Sequence, residues 1–157
     1  VQARPYADSY YPSEFFPISN YVNGDFKTEL LYDPFGIIVD LAKEFACAET
    51  IVVAAPYWDL MFPAVVKNYF ENITVSGLTF KYGENGIPQG LCAAKRLIYV
   101  TTSGGTIICN FGFDYVKALC QMFYGIKDVK CISAQGLDIY GADVEKILSD
   151  AKNSISI

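Results

Sequence analysis

Histidine is absent from the 157 residues of this chain. Mechanisms that pair a serine or cysteine nucleophile with an imidazole base are therefore excluded, as are imidazole metal ligands and proton transfer through imidazole. If the chain catalyses a reaction, a bound cofactor is the natural carrier of the difficult step, because the side chains lack their most common acid-base group.

Positive charge is also scarce. The chain has 12 Lys and Arg against 17 Asp and Glu, which gives a formal net charge of −5. Proteins bind the phosphate backbone of nucleic acids through clusters of Lys and Arg, and this sequence has no such cluster. Nucleic acid is therefore not expected as a partner.

Long hydrophobic runs are missing. No apolar stretch reaches the roughly 20 residues that a helix needs to cross a bilayer. No basic segment followed by an apolar one stands at the start of the sequence, so no signal peptide is expected. We therefore predict a cytoplasmic protein that makes no membrane contact.

Clustered cysteines are absent as well. Zinc and iron–sulfur sites need closely spaced ligands, and no two cysteines here have C-x-x-C spacing, so no metal site is predicted. The pattern favours reduced, buried thiols, with the first and fourth cysteines on apolar helix faces. The five are Cys47, Cys92, Cys109, Cys120 and Cys131.

Apolar residues are abundant, at 52% of the chain, which is typical of one well-packed domain over residues 1–157. Residues 1–32 are rich in Tyr, Phe, Pro, Ser and Asn and follow no period, so they are predicted to be an irregular segment. This segment is either a dimer surface or the lid of a pocket. Residues 33–157 are predicted to form an α/β core.

Helical and strand patterns alternate through that core, which favours a parallel sheet built from right-handed crossovers. The continuous apolar run at 51–55 suits a strand that is covered on both faces. The predicted elements are a helix from Asp33-Pro34 to near Ala48, a strand at 50–57, a helix from Phe62 to Ile73, a short strand at 79–82, a strand at 96–102, a helix ended by Gly125, a strand at 129–139 and a helix capped at 141–143.

Two of the predicted strands end in unusual sequences. The first runs into Pro56-Tyr57-Trp58-Asp59, and the second runs into Thr101-Thr102-Ser103-Gly104-Gly105. Ligands of open α/β sheets bind at the carboxyl ends of the strands. The two ends facing one crevice therefore suggest a flat aromatic ligand held between them.

Ordinary structural roles are open for the same residues. Tyr57 and Trp58 can be core aromatics, and Gly104-Gly105 can be a simple tight turn. Asp59 can be the N-cap of the helix that begins near Phe62.

Ordered blocks of sequence resemble the flavodoxin-like FMN-dependent NAD(P)H:quinone oxidoreductases, a family that includes the FMN azoreductases. The resemblance runs from Asp33 to Ile155. Its blocks are Ala54 to Asp59, Phe62 to Glu71, Gly77 to Tyr82, and Lys95-Arg96-Leu97 leading into Thr101 to Gly105.

The resemblance implies a three-layer sandwich with a parallel sheet of strand order 2-1-3-4-5, and a homodimer. It also implies bound FMN, or FAD, at the strand ends. Hydride would pass from NAD(P)H through the flavin to a quinone or a related flat acceptor, such as an azo or nitroaromatic compound.

The resemblance places the cofactor in two loops, and it indicates no catalytic side chain. Backbone N–H groups of the first loop would face the ring's N5 and its pyrimidine edge, and the second loop would lie against the dimethylbenzene and ribityl side. The first loop holds Pro56, Tyr57, Trp58, Asp59 and Leu60, and the second holds Thr102, Ser103, Gly104 and Gly105.

The chain also departs from the family pattern. The family's first βαβ unit, with its phosphate-binding loop, has no counterpart in residues 1–32, so the chain is either a fragment or lacks that unit. Asp59 stands where many members have an amide, and Ile107 lies near the position of the family's histidine. Two other functions therefore stay open: a flavodoxin-like electron-transfer module and a flavin-free scaffold of the same fold.

Overall fold

A computed structural model describes residues 34–155, which belong to one compact unit. The predictions for the aromatic-rich segment 1–32 and for an N-cap at Asp33 lie outside these residues. The described elements, in chain order, are α1 (Pro34–Cys47), β1 (Thr50–Ala54), α2 (Ala64–Ile73), β2 (Phe80–Tyr82), β3 (Pro88–Gly90), β4 (Arg96–Thr102), α3 (Phe111–Leu119), a π-helical turn (Cys120–Tyr124), β5 (Asp128–Ala134) and α4 (Val144–Asn153).

Three strands form a parallel sheet in the order β1-β4-β5. The pairing runs from Thr50 opposite Arg96 to Ala54 opposite Val100, and β5 continues in the same direction on the far side of β4. This confirms the predicted α/β class. Because all three strands are parallel, their carboxyl ends lie at one edge of the sheet.

One face of the sheet carries the aromatic core. Helices α1, α2 and α3 pack on this face, where side chains from each helix meet those of the strands. Phe45 of α1 lies edge-on to Tyr124 of the π-helical turn, at 5.0 Å between ring centroids, and edge-on to Phe70 of α2, at 6.5 Å. Such edge-to-face pairs add to the stabilisation from burial and fix the three helices relative to one another.

The opposite face of the sheet is partly open. Helix α4 contacts β5, but Val52 of β1 is 51% exposed and Ala54 beside it is exposed too. The prediction that β1 is covered on both faces is therefore wrong for the described part of the chain. A run of small apolar residues does not distinguish a strand covered on both faces from one covered on a single face.

A second, antiparallel pair of strands follows α2. Phe80 pairs with Gly90 and Tyr82 with Pro88, so β2 and β3 form a hairpin around the predicted Asn85-Gly86 turn. The sequence indicated β2 but not β3, because Pro88-Gln89-Gly90 has no strand pattern. The hairpin packs on the π-helical turn at the end of α3.

The helix ends largely follow the predicted signals. Gly125 ends the π-helical turn with φ 78°, in the left-handed region that glycine adopts freely. Asp143 caps α4, since its Oδ1 accepts a hydrogen bond from the N–H of Lys146 at 3.0 Å. Helix α2 begins one residue later than its Pro63, which holds the N-cap position without a side-chain hydrogen bond.

Two of the five thiols are exposed, which corrects the prediction of buried cysteines. Cys120 is buried and Cys92 and Cys109 are half-buried, but Cys47 and Cys131 are accessible. Cys47 is the last residue of α1. Among residues 34–155, no helix has both the length and the apolar character needed to span a membrane.

Candidate functional site

The first loop is a tight reversal of the chain immediately after β1. The N–H of Trp58 donates to the carbonyl of Met61 at 2.9 Å, and the N–H of Met61 donates back to the carbonyl of Trp58 at 2.8 Å. Asp59 and Leu60, between them, have φ values of 48° and 67°. Two consecutive residues with positive φ inside a doubly bonded pair form a two-residue turn of type I′.

This turn is strained, because neither of its central residues is glycine. A branched side chain such as that of Leu60 pays roughly 1–2 kcal/mol for a left-handed backbone. Asp59 pays less, since a short polar side chain tolerates this region. Asp59 is therefore a turn residue, and its alternative role as the N-cap of α2 is wrong. Strained backbone of this kind collects at ligand-binding sites.

The aromatic side chains of the first loop do not belong to the core. Trp58 is 60% exposed, so its interpretation as a core aromatic is wrong. Tyr57 is half-buried, and its hydroxyl donates to the carbonyl of Cys109 at 2.8 Å. Burial, and then the thiol of Cys109, raise the pKa of Tyr57, so this phenol stays protonated and ties the loop to the chain ahead of α3.

Backbone hydrogen bonds bring the first loop against the second. The N–H of Ala55 donates to the carbonyl of Val100 at 3.0 Å, and the N–H of Tyr57 donates to that of Thr102 at 2.9 Å. The ladder between β1 and β4 thus continues past the end of β1 into the loop. The two predicted loops lie side by side at the carboxyl edge of the sheet.

The second loop is supported by the segment that follows β5. The N–H of Ser103 donates to the carbonyl of Ala134 at 2.9 Å, and the N–H of Asp138 donates to that of Gly104 at 2.9 Å. The Ser103 hydroxyl donates to the carbonyl of Gly105. A Cβ on Gly104 would lie 2.2 Å from Oδ2 of Asp138, so the Asp138 side chain would have to move to admit any other residue there. Neither Gly104 nor Gly105 has a positive φ, so the pair is not simply a turn that demands glycine.

Gln135 is a supporting residue that the sequence did not indicate. Its Oε1 accepts a hydrogen bond from the N–H of Ile107 at 2.9 Å, and its Nε2 donates to the Ser133 hydroxyl at 2.8 Å. The carboxamide thereby joins β5 to the segment that follows the second loop. The predicted strand at 129–139 concealed this role, because β5 ends at Ala134 and Gln135 is the first residue of a third strand-end loop.

The tips of the two loops present hydrogen-bond donors. No described residue accepts a hydrogen bond from the backbone N–H groups of Asp59, Leu60, Gly104 or Gly105. Asp59, Leu60 and Gly105 are exposed and Gly104 is half-buried, so their N–H groups are accessible, and adjacent free backbone donors suit the acceptor atoms of a ligand. An isoalloxazine ring carries such acceptors along its polar edge and an apolar surface on its faces. The two loops therefore fit the ring of a flavin.

The predicted site residues differ in their exposure to solvent. Ser103 is buried and serves the loop itself, whereas the exposed side chains and the half-buried ones surround the donors. The half-buried residues are Pro56, Tyr57 and Gly104, and the exposed ones are Trp58, Asp59, Leu60, Thr102 and Gly105. Within residues 34–155, no three His, Cys, Asp or Glu side chains are grouped as metal ligands would be.

Comparison with known proteins agrees with this geometry. The family described as having a flavodoxin-like fold matches residues 26–156 of the chain. The FMN-dependent NADH:quinone oxidoreductase of Coprothermobacter proteolyticus is 45% identical over 120 residues, which are 73% of this chain and 59% of that protein. The enzyme of the same name from Caldicellulosiruptor bescii is 42% identical over 120 residues, with the same two shares.

A solved structure shares the fold as well. The FMN-dependent NADH-azoreductase from Bacillus anthracis, solved in complex with FMN, superimposes with a TM-score of 0.67 at 26% identity. The match covers 80% of this chain and 63% of that one. The chain thus spans about three fifths of the length of the curated relatives and of this neighbour.

Proposed function

Since the chain belongs to the family with the flavodoxin-like fold, we propose that it forms the ring-binding part of an FMN-dependent NAD(P)H oxidoreductase. The acceptor would be a quinone or a related flat compound, such as an azo or nitroaromatic molecule. Bound FMN supplies two-electron transfer between the nicotinamide and the acceptor. Relatives named FMN-dependent NADH:quinone oxidoreductase support this proposal.

The observation that carries the proposal is the pair of loops at the carboxyl ends of β1 and β4. Their tips present unpaired N–H donors beside the exposed side chains of Trp58 and Leu60. The strained turn holds the donors of the first loop in place, and the segment after β5 holds those of the second. These donors therefore do not need to reorganise when charge develops on a bound ring. The described side chains therefore bind and align a flat ligand, and they keep water from its faces.

The site residues have separate roles in this proposal. The N–H groups of Asp59 and Leu60 would hold one part of the polar ring edge, and those of Gly104 and Gly105 would hold another. Trp58 provides flat apolar surface for the ring or for the nicotinamide. Tyr57 positions the first loop through its bond to the Cys109 carbonyl, and its ring would join that of Trp58 as a wall of the pocket.

The test is an absorbance spectrum of protein expressed from the complete open reading frame, recorded with FMN before and after anaerobic NADH. We expect flavin bands that remain after desalting and bleach on addition of NADH. Bands that remain but do not bleach would indicate an electron-transfer module instead. A protein that retains no flavin even after incubation with FMN would be a scaffold of the same fold, and the proposal would be wrong.

We also propose that the protein is a cytoplasmic homodimer and that residues 1–157 act as one domain. Apolar side chains exposed around the loops support the dimer, since monomers seldom leave such a group in contact with water. They include Trp58 and Leu60 of the first loop, and Ile108 and Phe111 ahead of and within α3, with Ile108 93% exposed. The N–H of Phe111 donates to the carbonyl of Leu60 at 3.0 Å, which joins the two parts of this apolar rim.

A further inference from the structure

Two cysteines that are far apart in the sequence are brought together behind the sheet's amino edge. The N–H of Ala93 donates to the carbonyl of Ala46 at 2.8 Å, so the residues next to Cys92 and Cys47 are directly bonded. A further bond, from Lys95 to the carbonyl of Glu49 at 3.4 Å, keeps the two segments alongside each other. Backbones joined by such bonds run roughly 5 Å apart, and a disulfide bridges Cα atoms that are up to about 7 Å apart.

The two thiols differ in access to solvent. Cys47 is exposed at the end of α1, whereas Cys92 is half-buried and its thiol donates to the carbonyl of Thr79 at 3.5 Å. Burial first, and then the charge of Cys47, raise the pKa of Cys92 to about 11. An exposed thiol beside a shielded one suits a pair in which the first is oxidised and the second resolves it.

We propose that Cys47 and Cys92 are a peroxide-sensitive pair that forms an intramolecular disulfide between the end of α1 and the segment leading into β4. The Cys47 thiol loses its proton, and its sulfur attacks one oxygen of hydrogen peroxide to form a sulfenic acid; the displaced hydroxide takes up that proton and leaves as one molecule of water. The Cys92 sulfur then attacks the Cys47 sulfur, and the displaced hydroxide leaves with the Cys92 proton as a second molecule of water. Two thiols and one peroxide thus give one disulfide and two waters.

A third thiol, that of Cys120, does not take part in the proposed reaction. Cys120 is buried in the core, and burial, followed by the charge of Cys92, raises its pKa to about 12. Peroxide does not reach a thiol that is 0% exposed and stays protonated. Cys120 therefore forms no sulfenic acid for Cys92 to attack, and Cys92 pairs with Cys47.

The sequence allows a direct test, because trypsin places each of the five cysteines on a different peptide. Cleavage after Lys and Arg leaves Cys47 within 44–67 and Cys92 within 82–95. The full protein is treated with hydrogen peroxide, its remaining thiols are blocked with N-ethylmaleimide, and the digest is analysed by mass spectrometry. We expect a crosslink between 44–67 and 82–95 that is lost on reduction with dithiothreitol.

Variants and a mixing experiment decide the assignment. C47S removes the crosslink, whereas C131S, which changes another exposed thiol, leaves it intact. Equal mixing of ¹⁴N- and ¹⁵N-labelled protein before oxidation gives no mixed-isotope crosslink if the bond is intramolecular. The proposal is overturned by a Cys92–Cys120 crosslink, by a bond found only between molecules, or by peroxide treatment that leaves both thiols free for N-ethylmaleimide. The readout is a covalent bond and does not depend on flavin binding.

Discussion

At Trp58 the protein exposes 60% of its single tryptophan side chain beside a strained turn. We expect W58A to leave the free energy of unfolding unchanged within about 0.5 kcal/mol, because little of the side chain is buried. FMN affinity should fall about tenfold, since a ring-to-ring contact contributes roughly 0.5–1.5 kcal/mol. Titration of the apoprotein with FMN, followed by flavin fluorescence, measures the change.

A matched control is Met122, which is 62% exposed on the π-helical turn. M122A should change neither stability nor FMN affinity. If W58A and M122A bind FMN equally well, Trp58 does not contact the ring.

Substitutions at Gly104 and Gly105 test two different properties of the second loop. The first tests its packing on Asp138, and the second tests its contact with a ligand. A Cβ at Gly104 would meet Asp138, whereas a Cβ at Gly105 meets no described atom within 4 Å. We expect G104A to destabilise the protein by about 1–2 kcal/mol through overpacking. G105A should leave stability within about 0.5 kcal/mol of the parent and still weaken FMN binding, because the new methyl group would occupy space next to the ring.

Thermal unfolding and FMN titration of both variants test this prediction. A G105A protein with the parent's FMN affinity would mean that the ring does not approach the second loop at this residue.

Two buried phenols provide a contrast within the core. The hydroxyl of Tyr99 has no partner at hydrogen-bonding geometry among the described residues, the neighbouring Thr101 hydroxyl included, whereas that of Tyr124 shares a hydrogen bond of 2.6 Å with the Thr74 hydroxyl. An unpaired buried hydroxyl costs about 1–3 kcal/mol, and a typical bond contributes about 1 kcal/mol. Urea unfolding should therefore show Y99F to be more stable than the parent and Y124F to be less stable, each by about 1 kcal/mol.

The stability of the protein at alkaline pH provides a second test of the buried position of Tyr99. Burial raises the pKa of Tyr99 to about 12, with a smaller contribution from Cys131 in the same direction and an opposing one from the Thr101 hydroxyl. A phenol whose folded pKa is raised keeps its full stabilising effect below its unfolded pKa of about 10 and loses it as pH rises through the folded value. Between pH 10 and 12, Y99F should lose less stability than the parent. An equal loss in both would contradict the buried position of Tyr99.

Among the elements, the β2–β3 hairpin depends on one close backbone contact. A Cβ at Gly90 would lie 2.2 Å from the N of Gly125 and 2.2 Å from the carbonyl carbon of Tyr124. Because these are backbone atoms, the hairpin would have to separate from the π-helical turn. We expect G90A to destabilise the protein by about 2–3 kcal/mol, measured by thermal unfolding.

Gly83, in the same hairpin, is the control. A Cβ there meets the ends of the Gln89 and Asn85 side chains, which can move aside, so G83A should cost less than about 1 kcal/mol. Equal melting temperatures for G90A and G83A would show that the hairpin does not rest on the π-helical turn.

The elements also show how far local sequence patterns reach. Strand β4 and the helix end at Gly125, which closes the π-helical turn, are where the sequence predicts them, because an apolar run and a glycine stop signal are local. Strand β3 was missed because its residues are held by pairing with β2 and by contact with Gly125, not by their own propensity. The exposed face of Val52 was missed for a related reason, since its exposure depends on which helices lie over the sheet.

Over the whole molecule, the two loops of the site were predicted from strand-end sequences and a family resemblance, but their support was not. The turn at Asp59 and Leu60 has two non-glycine residues at positive φ, which no turn propensity indicates. Gln135 and Asp138 lie about 30 residues beyond the loop that they support, and only the parallel packing of β4 on β5 brings them to it. Strand ends thus indicate where a site lies, while distant contacts determine its shape.

The proposed homodimer leads to a prediction about assembly. If the apolar rim around the loops is the contact surface, a charge at Ile108 would be buried without a partner when two copies associate, at a cost of several kcal/mol. We expect I108E to shift the protein from dimer to monomer in size-exclusion chromatography with light scattering, without lowering the melting temperature of the monomer.

V144E is the control, because Val144 is 39% exposed in the first turn of α4, where a glutamate is favourable. A parent protein that is monomeric at all concentrations, or an I108E variant that stays dimeric, would contradict an interface at this rim. If I108E is monomeric and also binds FMN less tightly, the partner copy helps to cover the flavin site, because Ile108 lies just beyond the second loop, next to Ile107, whose N–H donates to Gln135.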